Sequence, residues 1–344
     1  MEAYRVAIIG TGGIARYHAN YYTANPRTEI VAGADINPEN LEKFCTDQNV
    51  PGRYADYEEL LAKEQPDIVS VCTWQESHPR ITIAAAEAGA KGIICEKPLG
   101  VDLAGPDAMI EACDARGVKL VAHHQTRYNP TYPAAKKAIA DGMIGDPLYS
   151  VVSITGGLAN IGSHSIDISR YLLGDPAPTW VVGQAQRRTN RYERGSVCED
   201  LCMAIVGLDN GTRIHIDVDL PDTEIKVTRT MFGSDGRIIA DGQVARVLRS
   251  GAADWEELPL EAPVDFLEDF IGSMETGSPH RCDIEHAHAA HEVMMAMYES
   301  ARGRVIVELP LAERGCPLDE MAADGTQPVE GAKYDFRLET ALKH

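Results

Sequence analysis

Residues 92–100 read GIICEKPLG. An apolar run ends in Glu96 and Lys97, and Pro98 and Gly100 then stop the chain. A lysine at the mouth of a buried strand is a cation held in a partly dry cleft. Its ammonium can hydrogen-bond a hydroxyl there and, when desolvated, take part in proton transfer. Pro98 makes the turn rigid, and a cis bond is one way to do so. The competing reading is a surface lysine snorkelling from an ordinary loop.

A second stretch that can do chemistry is Gly10-Thr11-Gly12-Gly13-Ile14-Ala15, which follows a strand and opens a helix. Gly10 permits a tight turn, and Gly12 lets the backbone approach a pyrophosphate. Ala15 still allows close helix packing. The amides of Gly12, Gly13 and Ile14 then face phosphates, with the helix dipole behind them. Asp35 ends the second strand, where an acid accepts both ribose hydroxyls of a dinucleotide. Its charge repels a 2′-phosphate, and the following Ile36-Asn37 supplies no arginine, so the expected cofactor is NAD rather than NADP. The alternative is a glycine-rich turn with a capping aspartate. Thr73, Trp74 and His78 follow the fourth sheet strand, and loops at such strand ends line the ligand crevice. They are expected to touch the cofactor, with helix initiation before Pro79 the other role open to His78. Glu96 is expected to hold the nicotinamide ribose.

These groups need a scaffold, and the first 120 or so residues supply one. YRVAIIG, TEIVAGAD, PDIVSVCT, KGIICE and VKLVAHH are strands with apolar residues throughout, so both faces are covered. GGIARYHANYY, PENLEKFCTD, YEELLAKE, PRITIAAAEAG and DLAGPDAMIEACDARG are helices between them. Alternation of this kind predicts an α/β domain with a doubly wound parallel sheet over residues 1–125. Beyond residue 145 the register changes. YSVVSIT, WVVGQAQ, CMAIVGL, TRIHIDVDL, EIKVTRTMF, RIIADG and VARVLRS alternate and are joined by turn pairs such as Asn210-Gly211. They predict a second α/β domain over 126–344 with an open, mostly antiparallel sheet and the helices IGSHSIDISRYLLG, VDFLEDFIGSMETG and IEHAHAAHEVMMAMYESARG. Helices closing the first domain can come from 130–145 or from the C-terminal region. The tail from about residue 312 reads as loop.

The net charge of −20 over 344 residues argues against nucleic acid and anionic membranes as partners. The N-terminus reads as a first strand and not a signal peptide. No apolar stretch is long enough to span a bilayer. Eight scattered cysteines without a CxxC pair suggest reduced thiols and a cytoplasmic location. Cys198 and Cys202 sit in strand-like surroundings, and in His286-Ala-His288-Ala-Ala-His291 only His288 and His291 share a helix face. No metal site is expected from either set. The arginine-rich stretch 187–194 reads as a solvated hairpin neutralising nearby acids, with a reach toward substrate or a neighbouring subunit as the alternative.

GTGGIA, the acid after strand two, EKPLG, RYNP, a histidine-bearing helix entering the sheet domain, MFGSDGRI and YESARGRVIVELPL together resemble the Gfo/Idh/MocA oxidoreductase family over about residues 4–311. The resemblance implies NAD or NADP, a ring hydroxyl of a sugar, inositol or related polyol as the reacting group, and dimers or tetramers built through the C-terminal sheet. It makes Lys97 catalytic and sets Arg127, with Tyr128 beside it, near the nicotinamide or substrate. The family places an aspartate four residues before a histidine; here the pair is Asn160 and His164. His164 remains a plausible base, since imidazole titrates near neutrality. Asn160 can only exchange hydrogen bonds, leaving Asp167 to orient the imidazole. The alternative makes Asn160 a helix cap and His164 a packed core residue. The expected activity is NAD-dependent hydroxyl oxidation. Redox-neutral chemistry on glycosides through a transient ketone is the second possibility, and a non-catalytic sensor of NAD and sugar the third.

Overall fold

The computed structural model describes residues 3–218, 228–327 and 329–335. They form two compact units: residues up to His124 with Val264–Glu285, and Gln125–Pro263 with the residues from His286 onward.

In the first unit, β1 (Tyr4–Ile9), β2 (Thr28–Ala34), β3 (Gly52–Tyr54), β4 (Ile68–Val71), β5 (Gly92–Cys95) and β6 (Lys119–Ala122) form a sheet in the order β3-β2-β1-β4-β5-β6. Every neighbouring pair is parallel. The order reverses between β1 and β4, and the crevice at such a reversal is where an open α/β sheet takes a ligand. β4 and β5 are buried at all four positions and β1 at its last four, which is why their sequence does not alternate. The helices are α1 (Gly13–Ala24), α2 (Pro38–Asp47), α3 (Tyr57–Glu64), α4 (His78–Glu87) and α5 (Ala104–Asp114). Asn37 caps α2 through the amides of Glu39 and Asn40, and Asp56 caps α3 through Glu58.

A further helix of this unit, numbered below as α8, comes from Phe266–Thr276, far along the chain. The sequence groups it with the helices of the second domain and leaves a C-terminal contribution to the first domain open. Its Phe266 ring stacks on Tyr21 at 5.5 Å, and Glu268 accepts a 2.7 Å hydrogen bond from Asn25. Gly92 is the matching feature on β5, since a side chain there would run into Met274 and Phe270.

The second unit carries α6 (Thr131–Ala140) and α7 (Ser163–Leu172) and a nine-stranded sheet. Its strands are β7 (Pro147–Ile154), β8 (Pro178–Gln186), β11 (Leu201–Leu208), β12 (Arg213–Val218), β13 (Thr228–Gly233), β14 (Gly236–Ala240), β15 (Ala245–Arg249), β16 (Glu256–Glu257) and β17 (Val307–Glu308). A separate small sheet contains β9 (Thr189–Glu193), β10 (Ser196–Val197) and β18 (Glu330–Asp335). The nine-stranded order is β16-β15-β14-β13-β7-β12-β11-β8-β17, antiparallel except for β7 beside β12. One face is covered: Val152, Ile154, Ile214, Ile216, Met231, Ile238 and Val247 are buried, and α6 and α7 add Tyr132, Ile168 and Tyr171 to that core. The other face stays partly open, with Val182 and Met203 at 37% and 46% exposure. The chain continues through α8, α9 (Ile284–Gly303) and α10 (Pro317–Ala323).

Two local expectations change. The tail contains α10 and β18 rather than loop alone. The arginine-rich stretch does form a hairpin, β9 to β10, but not a wholly solvated one: β18 pairs with the other edge of β9, Arg187 is buried, and Asp200 takes the amides of Arg188 and Thr189. The short edge strands β3, β16 and β17 carry too few residues to show a period. The expected strand segments at 219–220 and 224–227 lie outside the described residues.

Candidate active site

Gly10 has φ +87°, and a Cβ on it would lie 2.7 Å from the backbone of Cys72 and Thr73. The end of β4 thus passes directly under the turn, which only glycine permits. Beyond it, Cβ atoms on Gly12 and Gly13 would meet nothing within 4 Å. α1 begins at Gly13 with no acid in its first turn, so its positive end faces open space. Asp35 braces the turn, because Oδ2 accepts from the Thr11 amide at 2.7 Å and its hydroxyl at 3.0 Å, while Oδ1 accepts from the Asn37 amide at 2.8 Å. Around these residues lies a cleft of about 580 Å³ whose lining includes Gly12, Asp35, Thr73, Trp74, Tyr57 and Arg80. The shape and donors fit a dinucleotide: a side-chain-free cradle at a helix N-terminus, with a carboxylate at the ribose end.

Tyr57 and Arg80 were not singled out from sequence. The Arg80 guanidinium lies 5.3 Å from the Tyr57 ring centre and donates to its hydroxyl at 3.4 Å. Both open helices that follow crevice-facing strand ends, which was the available signal. Ile14 and Trp74 are exposed, whereas His78 is 1% exposed. The imidazole of His78 sits between two carbonyls, Pro98 at 2.8 Å and Thr73 at 2.9 Å. It ties the β4 loop to the turn after β5 instead of facing the cleft.

Lys97 is half-buried, and its bond to Pro98 is cis. Glu96 departs from expectation. It is 5% exposed, its Oε1 lies 3.0 Å from His18 Nε2 and 2.6 Å from His123 Nδ1, and its Oε2 accepts from the Lys97 amide at 3.2 Å. The carboxylate is turned inward, so a ribose contact through it is not what the geometry offers. Burial pushes Glu96 up, but its interactions with His123 and His18 outweigh this and hold the carboxyl well below the usual carboxylate range. Burial, with His123 beside it, lowers His18 to about 4.

In the second unit, a wide turn at Leu158–Gly162 delivers Asn160 and runs into α7, which carries His164 in its first turn. Both are buried. His164 Nδ1 lies 3.3 Å from Thr126 Oγ1, a partner the sequence did not suggest. Glu199, wholly buried, accepts from the Leu158 amide at 2.7 Å and from Tyr298 at 2.7 Å, and so anchors the start of that turn. Asp167, expected as the orienting acid, is engaged by Arg127. Its two oxygens take Nε and NH2 of Arg127 at 2.7 Å each, and Asp175 takes the same guanidinium at 2.6 and 3.2 Å. Arg127, expected near substrate, is 1% exposed and packs 5.0 Å from the Tyr171 ring. Tyr128 is buried as well. A guanidinium taken out of water needs paired carboxylates, and here two supply them, which makes Arg127 and Asp167 a structural node.

Residues 4–124 match the oxidoreductase family with an NAD-binding Rossmann fold, and residues 136–309 match that family's C-terminal α/β domain. The chain belongs to the Gfo/Idh/MocA oxidoreductase family. Relatives from this family include a D-apiose dehydrogenase of Paraburkholderia graminis, 26% identical over 94% of this chain and 95% of its own. An inositol 2-dehydrogenase of Pseudomonas syringae pv. syringae is 27% identical over 91% of this chain and 98% of its own. Among solved structures, a levoglucosan dehydrogenase in complex with NADH and levoglucosan shares the fold, with a TM-score of 0.79 at 21% identity over 90% of this chain and all of the other. The first unit of this Gfo/Idh/MocA protein is accordingly an NAD-binding Rossmann domain. Among the described residues no helix is long and apolar enough to cross a membrane.

Proposed function

We propose that the protein oxidises a ring hydroxyl of a sugar, inositol or related polyol with NAD. The observation that carries this is the family's glycine turn and Asp35 lining one cleft, with Lys97 on a rigid turn in the same unit. NAD is preferred to NADP because the Asp35 carboxylate repels a 2′-phosphate. When bound, the nicotinamide supplies the acceptor for hydride from the carbinol carbon. Lys97 hydrogen-bonds the reacting hydroxyl and stabilises charge developing on its oxygen. His164 takes the hydroxyl proton, with Thr126 rather than Asp167 beside its Nδ1.

Asn160, where the family has aspartate, favours carrying a second reading. An amide there cannot relay the proton onward, so a transient ketone that is later reduced again, with loss of a neighbouring group, is the alternative outcome. Assembly through the partly exposed face of the nine-stranded sheet as a homodimer or homotetramer is supported by the apolar Val182 and Met203 there. The scattered cysteines, with no CxxC pair among them, support a cytoplasmic setting. The test is a panel of sugars, polyols and glycosides with NAD and with NADP, followed for reduced cofactor and for altered sugar products. Reduced cofactor in step with one polyol supports the dehydrogenase. Cleavage without it supports the alternative, and no turnover of any member overturns both.

A further inference from the structure

Behind the Lys97 turn lies a closed polar cluster drawn from four elements. It joins His18 of α1, Ser70 of β4, Glu96 after β5 and His123 after β6. His18, Ser70 and His123 are each 0% exposed. A carboxylate oxygen only accepts, so while Glu96 is ionised the ring nitrogens of His18 and His123 that converge on its Oε1, themselves 3.1 Å apart, both donate to it. That puts the His18 proton on Nε2 and leaves Nδ1, 3.0 Å from Ser70 Oγ, as an acceptor from the serine hydroxyl. Ser70 in turn lies 2.7 Å from the Tyr22 hydroxyl. The proton order is fixed along the whole chain, from Tyr22 through Ser70 and His18 to Glu96, and the last oxygen receives the Lys97 amide.

We propose that Glu96 is the positioning residue of Lys97: its buried carboxylate, oriented by N–H groups of His18 and His123, fixes the lysine's backbone and places a permanent negative charge one residue from the ammonium. This rests on the reading of Lys97 as a catalytic group. The rationale is energetic. A buried ion of this kind is costly, and well-packed apolar residues are often at least as stabilising. The neutral, low-titrating His18 suits a donor that keeps its tautomer through the physiological range. The same three ligand atoms of His18, Glu96 and His123 lie within 4.8 Å of one another, so a divalent cation is the competing occupant.

Glu96→Gln separates these. A glutamine must turn its NH2 toward either the Lys97 amide or the imidazole N–H groups, donor against donor, unless His18 moves its proton to Nδ1 and His123 moves its own to Nε2. Proton–nitrogen NMR of the histidine rings should therefore show His18 protonated on Nε2 in the native protein and on Nδ1 in E96Q. We expect E96Q to lose about tenfold or more in kcat, from one hydrogen bond to a charged group, while its Kd for NAD changes by less than about threefold. His18→Leu should lose a comparable share, and His18→Gln, whose amide N–H replaces Nε2–H, should recover most of what H18L loses. Native kcat in E96Q overturns the proposal. So does a loss of NAD affinity matching the loss of kcat, which would set Glu96 on the cofactor, or stoichiometric divalent metal in the purified protein. A native protein inactive on every substrate with His18 on Nε2 refutes the dehydrogenase reading alone. His18 on Nδ1 refutes the positioning network whatever the activity.

Discussion

His18→Gln should make the first unit less sensitive to acid. His18 is wholly buried, and its folded value of about 4 lies below the ordinary 6.5. As pH falls through 6.5 the unfolded chain takes up a proton that the folded chain refuses, so stability declines from there and levels off near pH 4. Above pH 6.5 the residue contributes no pH dependence. The difference of roughly 2.5 units corresponds to about 3 kcal/mol at the acid end. For a unit of this size that is on the order of 6–12 °C in Tm. His280 of the same unit, also lowered to about 4 by burial, gives a slope of the same sign and remains in the variant. Thermal or urea unfolding of both proteins between pH 8 and about pH 4, the window set by the lowered histidine, should show curves that run parallel above 6.5 and converge or cross below it. Curves that stay parallel down to pH 4 would show that His18 is charged in the folded state, and the proton order behind Lys97 would be wrong.

Lys97→Met should reduce kcat by about a hundredfold or more while NAD still binds, as read by steady-state kinetics and cofactor titration; an undiminished rate removes the lysine from the chemistry. Asp35→Asn turns an NH2 toward one of the donors on Thr11 or Asn37 and loses the ribose acceptor, so NAD affinity should fall about tenfold or more and the preference over NADP should narrow, measured by competitive titration. Asp167→Asn leaves the Arg127 guanidinium buried with one full counter-charge, Asp175, and urea unfolding should report a loss of about 3 kcal/mol or more. A loss confined to activity would restore Asp167 as the residue that orients the His164 imidazole.

The parallel sheet, its glycine turn and Asp35 are legible in the chain because each depends on neighbours in sequence. Apolar runs bounded by glycine and proline report strands buried on both faces, and the spacing of Gly10, Gly12 and Ala15 reports one turn into one helix. Charge and hydrogen-bond partners are another matter. Arg127 reads as a ligand-binding fork until Asp167 and Asp175, 40 and 48 residues on, close around it. Glu96 reads as a cleft carboxylate until His18 and His123, 78 and 27 residues away, claim it. Sequence fixes which groups can ionise and which backbone each turn can adopt. Only the tertiary fold decides which of those groups are removed from water and therefore obliged to pair with one another, because the cost of an unpaired buried charge exceeds anything a local pattern can record.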